Sequence, residues 1–352
     1  MSRTRNEQVK QLFEFGFSVH NAGLLRKDRN LVEKLFSEGH IKVLVSTATL
    51  AWGVNLPAYA VIIKGTKMYD SASGEYKDIG IFDVQQIFGR AGRPQFDTEG
   101  EAIIMTLQKQ MDDYVKMMSN KQTIESNLVK GLDNCINAEV SCGTISTLTD
   151  GIHWLKKSYY YQRVTKNPSA YGIVPNVIKD DPSAHFVLLN QVTESVKRLN
   201  RMQLIRYNEQ NESVFATDMG RIASNYYINV DTMSYFMENL KPHTSDEYFL
   251  YHLAHADEFK QLEARKEEFE ELKLLMNDIR YVKVDKTCFN ESYTKVLVLL
   301  ECYLRRINLR TFSLISDTAY IVQNGARLMR AMFEIAMNKN YADLAKTAMR
   351  WC

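Results

Sequence analysis

The chain of 352 residues is long enough for about two or three domains with complete hydrophobic cores. Its 45% hydrophobic and 24% charged residues are ordinary for a globular protein, so the composition argues against disorder. A formal net charge of +2 excludes nucleic-acid binding through bulk charge, and any such surface must be a local patch.

The cysteines and hydrophobic runs restrict the class further. The five cysteines form no CxxC pair and no zinc spacing, which predicts free thiols in a reducing compartment, the nucleus or the cytoplasm. The sequence predicts no membrane span, and its polar start predicts no signal peptide. His252 and His255 lie one helical turn apart without a third ligand at helical spacing, so no metal site is predicted.

The chain is predicted to begin with a helix over residues 5–13, a strand at residues 17–19 and a helix over residues 27–37. Arg26 and Arg29 stand at the start of the second helix. Because cations there oppose the helix dipole, they favour a role in binding a ligand. A solvated basic turn is the alternative.

Three short runs rich in β-branched residues, 43–45, 61–63 and 102–105, predict buried parallel strands. Ser46 and Thr47 open the loop that follows the first run. Hydroxyl and backbone N–H groups at the carboxyl end of a parallel strand are well placed to hold phosphates.

A β-hairpin is predicted over residues 68–79, where Tyr69 and Tyr76 flank a polar tip. The hairpin lies between two segments with phosphate-binding character, which suggests a function. An idle surface hairpin is the alternative.

The motif from Gln86 to Pro94 is the most specific pattern in the sequence. Arg90 and Arg93 lie three residues apart beside Gly89 and Gly92, and glycine lets the backbone approach a ligand closely. Two guanidinium groups in this setting suit a polyphosphate. An amphipathic helix end with two solvated arginines is the alternative, and the Ser/Thr-rich loop upstream counts against it.

Beyond about residue 119 the sequence predicts helices and one hairpin, over residues 204–217. Helices followed by such a wing predict a winged-helix domain. Only Arg201 and Arg206 lie near its expected recognition surface, which favours a scaffold role over base reading. An acidic run later in the chain is predicted to be a solvated face, and it comprises Glu267, Glu268, Glu270 and Glu271.

The last long helix is predicted from Phe312 to about Asn338, with a length of about 40 Å. Its predicted buried stripe comprises Ile315, Ala319, Val322, Ala326, Met329, Phe333 and Ala336. A neighbouring polar stripe comprises Ser316, Tyr320, Gln323, Arg327 and Arg330. Such a helix suits the lining of a strand channel, and a core helix with ordinary surface arginines is the alternative.

Three motifs resemble motifs IVa, V and VI of superfamily-two helicases, and they lie at residues 20–29, 47–57 and 86–94. The whole chain resembles the Ski-type branch, and within it the N-terminal cassette of the large two-cassette members. The resemblance implies an incomplete α/β RecA-like C-terminal helicase domain at residues 1–118. A winged-helix domain at residues 119–221 and an all-α ratchet bundle at residues 222–352 would follow.

The resemblance also implies roles for individual residues. The catalytic residues would be Arg90, Arg93 and Gln86, with one arginine as arginine finger. The nucleotide would lie beside Gly53, Asn55, Gly89 and Gly92. Nucleic acid would contact Arg26, Arg29, Ser46, Thr47, Tyr69, Tyr76, Gln323, Arg327 and Arg330. The hairpin would separate strands, and the long helix would be the ratchet helix.

The implied activity is ATP-dependent 3′ to 5′ unwinding, with Mg²⁺ held by a first RecA-like domain. The sequence contains no Walker A motif and no Asp-Glu-x-His box, so this chain alone is expected to be inactive. Expected partners are single-stranded or duplex nucleic acid, the rest of the cassette and a multi-subunit complex, with no membrane. The alternatives are a catalytically inert nucleic-acid-binding or scaffold module, an RNA helicase of the splicing type, and a DEAH-type helicase.

Overall fold

The computed structural model describes residues 6–21, 24–47, 54, 56–70, 75–92, 97–119, 123–265, 268–279 and 291–352. The chain divides into two compact units, Met1–Thr123 and Ile124–Cys352, which we call unit 1 and unit 2. No helix among these residues is long and apolar enough to cross a membrane.

Unit 1 alternates strands and helices. Its described elements are α1 (Glu7–Glu14), β1 (Phe17–His20), α2 (Arg26–Ser37), β2 (Val43–Ser46), β3 (Ala60–Lys64), β4 (Lys67–Asp70), β5 (Glu75–Asp78), α3 (Ile81–Phe88), β6 (Glu101–Met105) and α4 (Gln108–Met118).

The strands of unit 1 pair two by two within the described residues. β1 runs parallel to β2, and β3 runs parallel to β6. β4 and β5 form the predicted hairpin, with Tyr69 opposite Tyr76 in the antiparallel register. The three predicted strands and the hairpin are therefore confirmed.

The predicted burial of the three strands is wrong. Val45 is 61% exposed, and Ile62 and Ile103 are also exposed, whereas Ile63 is buried. Successive side chains of a strand point to opposite faces, and here only one face packs against helices. Ile63 contributes to a small core with Val84, while its neighbour Ile62 does not.

Unit 2 is mainly helical. Its described α-helices and strands are α5 (Leu132–Cys142), α6 (Leu148–Lys156), α7 (Tyr159–Val164), α8 (Pro175–Asp180), α9 (His185–Arg201), β7 (Ile205–Asn208), β8 (Ser213–Ala216), α10 (Asp218–Asn225), α11 (Val230–Asn239), α12 (Asp246–Ala254), α13 (Phe269–Asn277), α14 (Ser292–Leu304), α15 (Phe312–Asn338) and α16 (Ala342–Trp351). Short 3₁₀ turns lie at Leu128–Gly131, Pro168–Tyr171 and Asp257–Phe259.

The first part of unit 2 has the predicted winged-helix elements. β7 and β8 pair antiparallel as the wing, and Thr147 forms an isolated antiparallel bridge with Ser213. Thr147 also caps α6, because its hydroxyl accepts from the Asp150 N–H while the Asp150 carboxylate accepts from the Thr147 N–H. The wing is thereby joined to the start of α6.

A carboxylate near the start of unit 2 fixes the segment between α6 and α9. Glu125 accepts from Arg163 at 2.8 Å, Asn167 at 2.7 Å and the Tyr171 hydroxyl at 2.9 Å. These donors, above all Arg163, lower the pKa of Glu125 to about 2.

The long helix α15 forms as predicted, with 27 residues; its predicted buried stripe is wrong at Ile315, Ala319 and Ala326, which are exposed, and correct at Ala336, which is fully buried. The buried face of the helix is shifted by one residue toward the N-terminus. It includes Leu314, Ile321 and Leu328, which directly precede the predicted Ile315, Val322 and Met329. Asp317 lies on the same buried side of the helix. Its charge is compensated by a residue on another helix.

That residue is Lys295 of α14, whose ammonium group is completely buried. It lies 2.6 Å from Asp317 and 2.6 Å from Glu268. Glu268 is also fully buried, so the prediction of a solvated face is wrong for this residue. Arg265 approaches Glu268 at 3.4 Å. We call these four residues the buried ion cluster, and they join α14 and α15 to the start of α13.

Candidate functional site

The exposed face of α3 carries the first part of the candidate site. Val84 is fully buried, which turns the opposite side of the helix to solvent. An open cleft of about 380 Å³ lies on that side, and it is lined by Phe82, Gln85, Gln86, Gly89 and Arg90. Gln86 lies in the last turn of α3 and Arg90 in the turn that follows the helix, and both line the same cleft.

Backbone hydrogen bonds from Ala58 hold the turn after α3. Ala58 follows the loop that Ser46 and Thr47 open, which the sequence predicted to bind phosphates. Ala58 N–H donates to the Arg90 carbonyl at 2.9 Å, and the Ala58 carbonyl accepts from Gly92 N–H at 2.7 Å. Gly92 has φ +86°, a conformation that favours glycine. The backbone on both sides of Ala91, directly after Arg90, is therefore fixed to residue 58.

Gly100 supports the same turn, and sequence reasoning missed it. A Cβ atom on Gly100 would lie 2.5 Å from Gly92 N and 2.7 Å from Ala91 C. Only glycine fits this close approach of two backbone segments. Nothing in the sequence indicated this contact, because a single glycine after the motif does not show that it packs against Gly92, eight residues earlier.

Gly53, Asn55 and Arg93 lie outside the described residues. Their predicted roles beside the nucleotide remain predictions.

The predicted phosphate-binding residues of α2 and β2 lie at the carboxyl ends of two paired strands. Ser46 ends β2 opposite His20, the last residue of β1, and Thr47 N–H donates to the His20 carbonyl at 3.3 Å. Arg26 begins α2, a few residues after β1, and is exposed, as are Ser46 and Thr47. Arg29 is half-buried one turn later.

The base of the β4–β5 hairpin is tied to the end of β6 by side chains. Thr66 and Thr106 share a hydrogen bond of 3.0 Å between their hydroxyls, and Thr106 donates to Gln110 at 3.2 Å. Gln110 in turn donates to Asp78 at the end of β5. A two-stranded hairpin is marginal alone, and this chain of bonds anchors it. The side chains of Tyr69 and Tyr76 are outside the described set.

The polar stripe of α15 is only partly available for a ligand. Gln323 and Arg330 are exposed. Arg327 instead donates to Asn324 Oδ1 at 3.2 Å and 2.8 Å and to the carbonyl groups of Tyr226 and Tyr227. The guanidinium group of Arg327 is thus used for contacts within unit 2.

The two histidines one turn apart have packing roles. His252 Nδ1 lies 3.0 Å from the Tyr235 hydroxyl, and the His255 ring stacks on Tyr293 with centroids 4.3 Å apart. Burial lowers the pKa of both imidazoles. The residues that the structure describes contain no group of three or more His, Cys, Asp or Glu side chains suited to a metal ion.

Three family models match successive parts of the chain. A helicase conserved C-terminal domain matches residues 1–95, a winged helix-turn-helix domain residues 125–199, and a Sec63 Brl domain residues 216–352. Activating signal cointegrator 1 complex subunit 3 of Homo sapiens is 45% identical over 98% of this chain. The chain belongs to the Ski-type helicases.

Two further relatives agree with this family. The U5 small nuclear ribonucleoprotein 200 kDa helicase of Drosophila melanogaster is 40% identical, and a DExH-box ATP-dependent RNA helicase of Arabidopsis thaliana is 39% identical, each over 99% of the chain. The identity to the cointegrator subunit is higher than the identity to the U5 helicase. This Ski-type chain spans 16% of the length of each of the three relatives.

Proposed function

We propose that the chain forms the C-terminal part of an ATP-dependent helicase cassette that moves 3′ to 5′ along nucleic acid. The observation that carries this proposal is the exposed face of α3, where Gln86 and Arg90 line one cleft. The backbone hydrogen bonds from Ala58 hold the turn that contains Arg90. The two relatives named as helicases agree with it.

In this proposal Arg90 and Arg93 face the phosphates of ATP across a cleft that a first RecA-like domain completes. One of them is the arginine finger, and Gln86 orients the helix end. A guanidinium group placed where negative charge develops accelerates phosphoryl transfer. Gly53, Gly89 and Gly92 allow the backbone to approach the nucleotide, Asn55 lies beside it, and Mg²⁺ is held by the other domain.

The proposed contacts with the nucleic-acid strand begin at the edge of the β1–β2 sheet where both β-strands end. Ser46 and Thr47 lie at that edge, Arg26 begins α2 a few residues after β1, and all three are exposed, which suits contacts to a phosphate backbone. The β4–β5 hairpin is the wedge, and its anchored base supports this role because a wedge must resist the force of the duplex. The ratchet helix is α15, with Gln323 and Arg330 toward the strand.

Membership in a multi-subunit complex in the nucleus or cytoplasm belongs to the same proposal. Two relatives carry the names of such assemblies, the activating signal cointegrator 1 complex and the U5 small nuclear ribonucleoprotein.

Replacement of residues 69–76 by a short Gly/Ser turn tests the wedge in a complete cassette. We expect unwinding of a duplex with a single-stranded tail to fall strongly, because base pairs are no longer split mechanically. The rate of ATP hydrolysis stimulated by a single strand should stay within about twofold of the unchanged protein, since the arginine turn lies outside the replaced segment. Equal loss of both activities would contradict the wedge.

A further inference from the structure

The turn after α10 has an unusual residue at its tightest point. Tyr227 has φ +55°, the left-handed region, which is a strained conformation for a bulky side chain. Its N–H donates to the Ser224 carbonyl at 3.1 Å, and Ile228 N–H donates to the Ala223 carbonyl at 2.8 Å. This hydrogen-bond pattern is the Schellman motif, in which glycine normally occupies the position of Tyr227.

The side chain of Tyr227 gains nothing from burial that would offset this strain. It is 86% exposed, more than any other large hydrophobic side chain that the structure describes, with Phe15 next at 76%. Strained residues of this kind persist where the surrounding structure holds them, and they concentrate at functional sites.

The structure that holds Tyr227 is α15. Arg327 Nη1 donates to the carbonyl groups of Tyr226, at 3.2 Å, and Tyr227, while Asn324 fixes the other side of the guanidinium fork. The Tyr226 hydroxyl donates to Glu334 Oε1 at 3.2 Å. Three residues on one side of α15 therefore fasten this turn to the helix.

The neighbours of Arg327 on the helix are the two exposed members of its polar stripe. Gln323 lies one turn before Arg327 and Arg330 nearly one turn after it, so the Tyr227 turn borders the surface between them. Proteins that bind single strands without reading sequence combine exposed aromatic rings with basic and polar side chains, and this part of unit 2 exposes Tyr227, Gln323 and Arg330.

We propose that Tyr227 is a stacking platform for a base of the single strand that runs along α15, and that Arg327 is its positioning residue. This inference rests on the proposed function, which places the strand along α15. It assigns a contact with the nucleic-acid strand to Tyr227, which lies outside the long helix. Arg327 would act on the strand only by holding the turn that presents Tyr227.

Fluorescence anisotropy of the 352-residue chain with labelled 12-nucleotide strands, DNA and RNA, tests the stacking. Each strand is compared with one of the same length built from abasic sites. We expect Tyr227→Ala to weaken binding of the base-bearing strand about tenfold and to leave the abasic strand unchanged, while Tyr227→Phe keeps the affinity of the unchanged chain. Arg327→Met should also weaken only the base-bearing strand.

Two further variants serve as controls. Tyr227→Asn tolerates the left-handed conformation, so the turn folds, and it should lose the same base-dependent affinity as the alanine variant. Tyr303→Ala removes an exposed ring at the end of α14 and should change neither strand's affinity.

The outcomes separate the two proposals. If Arg330→Ala weakens binding while Tyr227→Ala and Tyr227→Asn do not, the stacking is wrong and the strand path along α15 stands. If the Tyr227 variants weaken binding of the base-bearing and the abasic strand equally, the stacking role of Tyr227 is also wrong. If the unchanged chain binds neither strand, the proposed strand path fails and the stacking fails with it. Full strand affinity with loss of a protein partner would assign the ring to protein docking instead.

Discussion

The two units differ in how much core supports their functional residues. Unit 2 has one continuous core that includes fully buried Phe236, Phe249 and Phe259. Unit 1 has two small described cores, one around Val9 and Val32 and one around Ile63 and Val84. In unit 1 the segments between strands are rich in glycine, arginine and hydroxyl residues, which suit ligand contact and contribute little apolar burial.

The comparison teaches that strong sequence motifs and strong packing occur in different parts of this chain. The motifs that indicate nucleotide chemistry lie where the backbone is held by a few hydrogen bonds, such as those of Ala58. The residues that stabilise unit 2 carry no motif. Variants in the motifs of unit 1 should therefore change mainly activity, and variants in the core of unit 2 should change mainly stability.

The largest stability effect is expected at the buried ion cluster of unit 2. Lys295→Met leaves Glu268 and Asp317 without their closest partner, and breaking a buried pair in this way costs about 3–5 kcal/mol. Urea denaturation followed by helical circular dichroism measures the change. The matched control is Lys260→Met, because the Lys260 side chain is 69% exposed where it pairs with Asp257, and it should change stability by less than about 1 kcal/mol. Similar values for both variants would contradict the role of the cluster.

The same substitution, glycine to alanine, should have opposite signs in the two units. Gly100→Ala forces two backbone segments of unit 1 apart, with an expected cost of about 1–3 kcal/mol and a disturbed arginine turn. Gly325→Ala in α15 meets no atom within 4 Å, and the better helix propensity of alanine should stabilise unit 2 by about 0.5–1 kcal/mol. Thermal unfolding of both variants checks this, and stabilisation by Gly100→Ala would refute the close approach.

The smallest effect is a pH dependence that belongs to unit 2. The pKa of Glu125 is lowered in the folded state from 4.5 to about 2, so the folded protein binds fewer protons there than the unfolded chain. This carboxylate therefore stabilises unit 2 above pH 4.5, and the contribution is lost as the pH falls from 4.5 toward 2. The melting temperature of Glu125→Gln should lie below that of the unchanged chain at pH 7, and the difference should shrink at pH 3. A difference independent of pH would show that the charge of Glu125 is not responsible.

The sequence predicted local elements well, since they depend on local patterns. Polar residues around Tyr69 and Tyr76 indicated the hairpin, and the apolar spacing indicated α15. The cluster of Gln86, Gly89 and Arg90 was also predictable, because these residues are close together in the sequence.

The errors arose where a residue is explained by a partner far away in the chain. Glu268 was predicted to be solvated because Lys295, which neutralises it, lies on another helix. The hydrogen bond from Arg327 to the turn at Tyr227 is a contact of the same long-range kind. Periodicity and motif spacing contain no information about such pairs.

ATP turnover of a cassette that joins this chain to a first RecA-like domain tests the central claim most directly. We expect Arg90→Ala and Arg93→Ala each to reduce turnover by about a thousandfold or more, with strand affinity within about twofold of the unchanged cassette. Arg221→Ala, an exposed arginine of α10, is the matched control and should keep full turnover. The chain alone should not hydrolyse ATP. Normal turnover in both motif variants would contradict the account and would favour a binding or scaffold module.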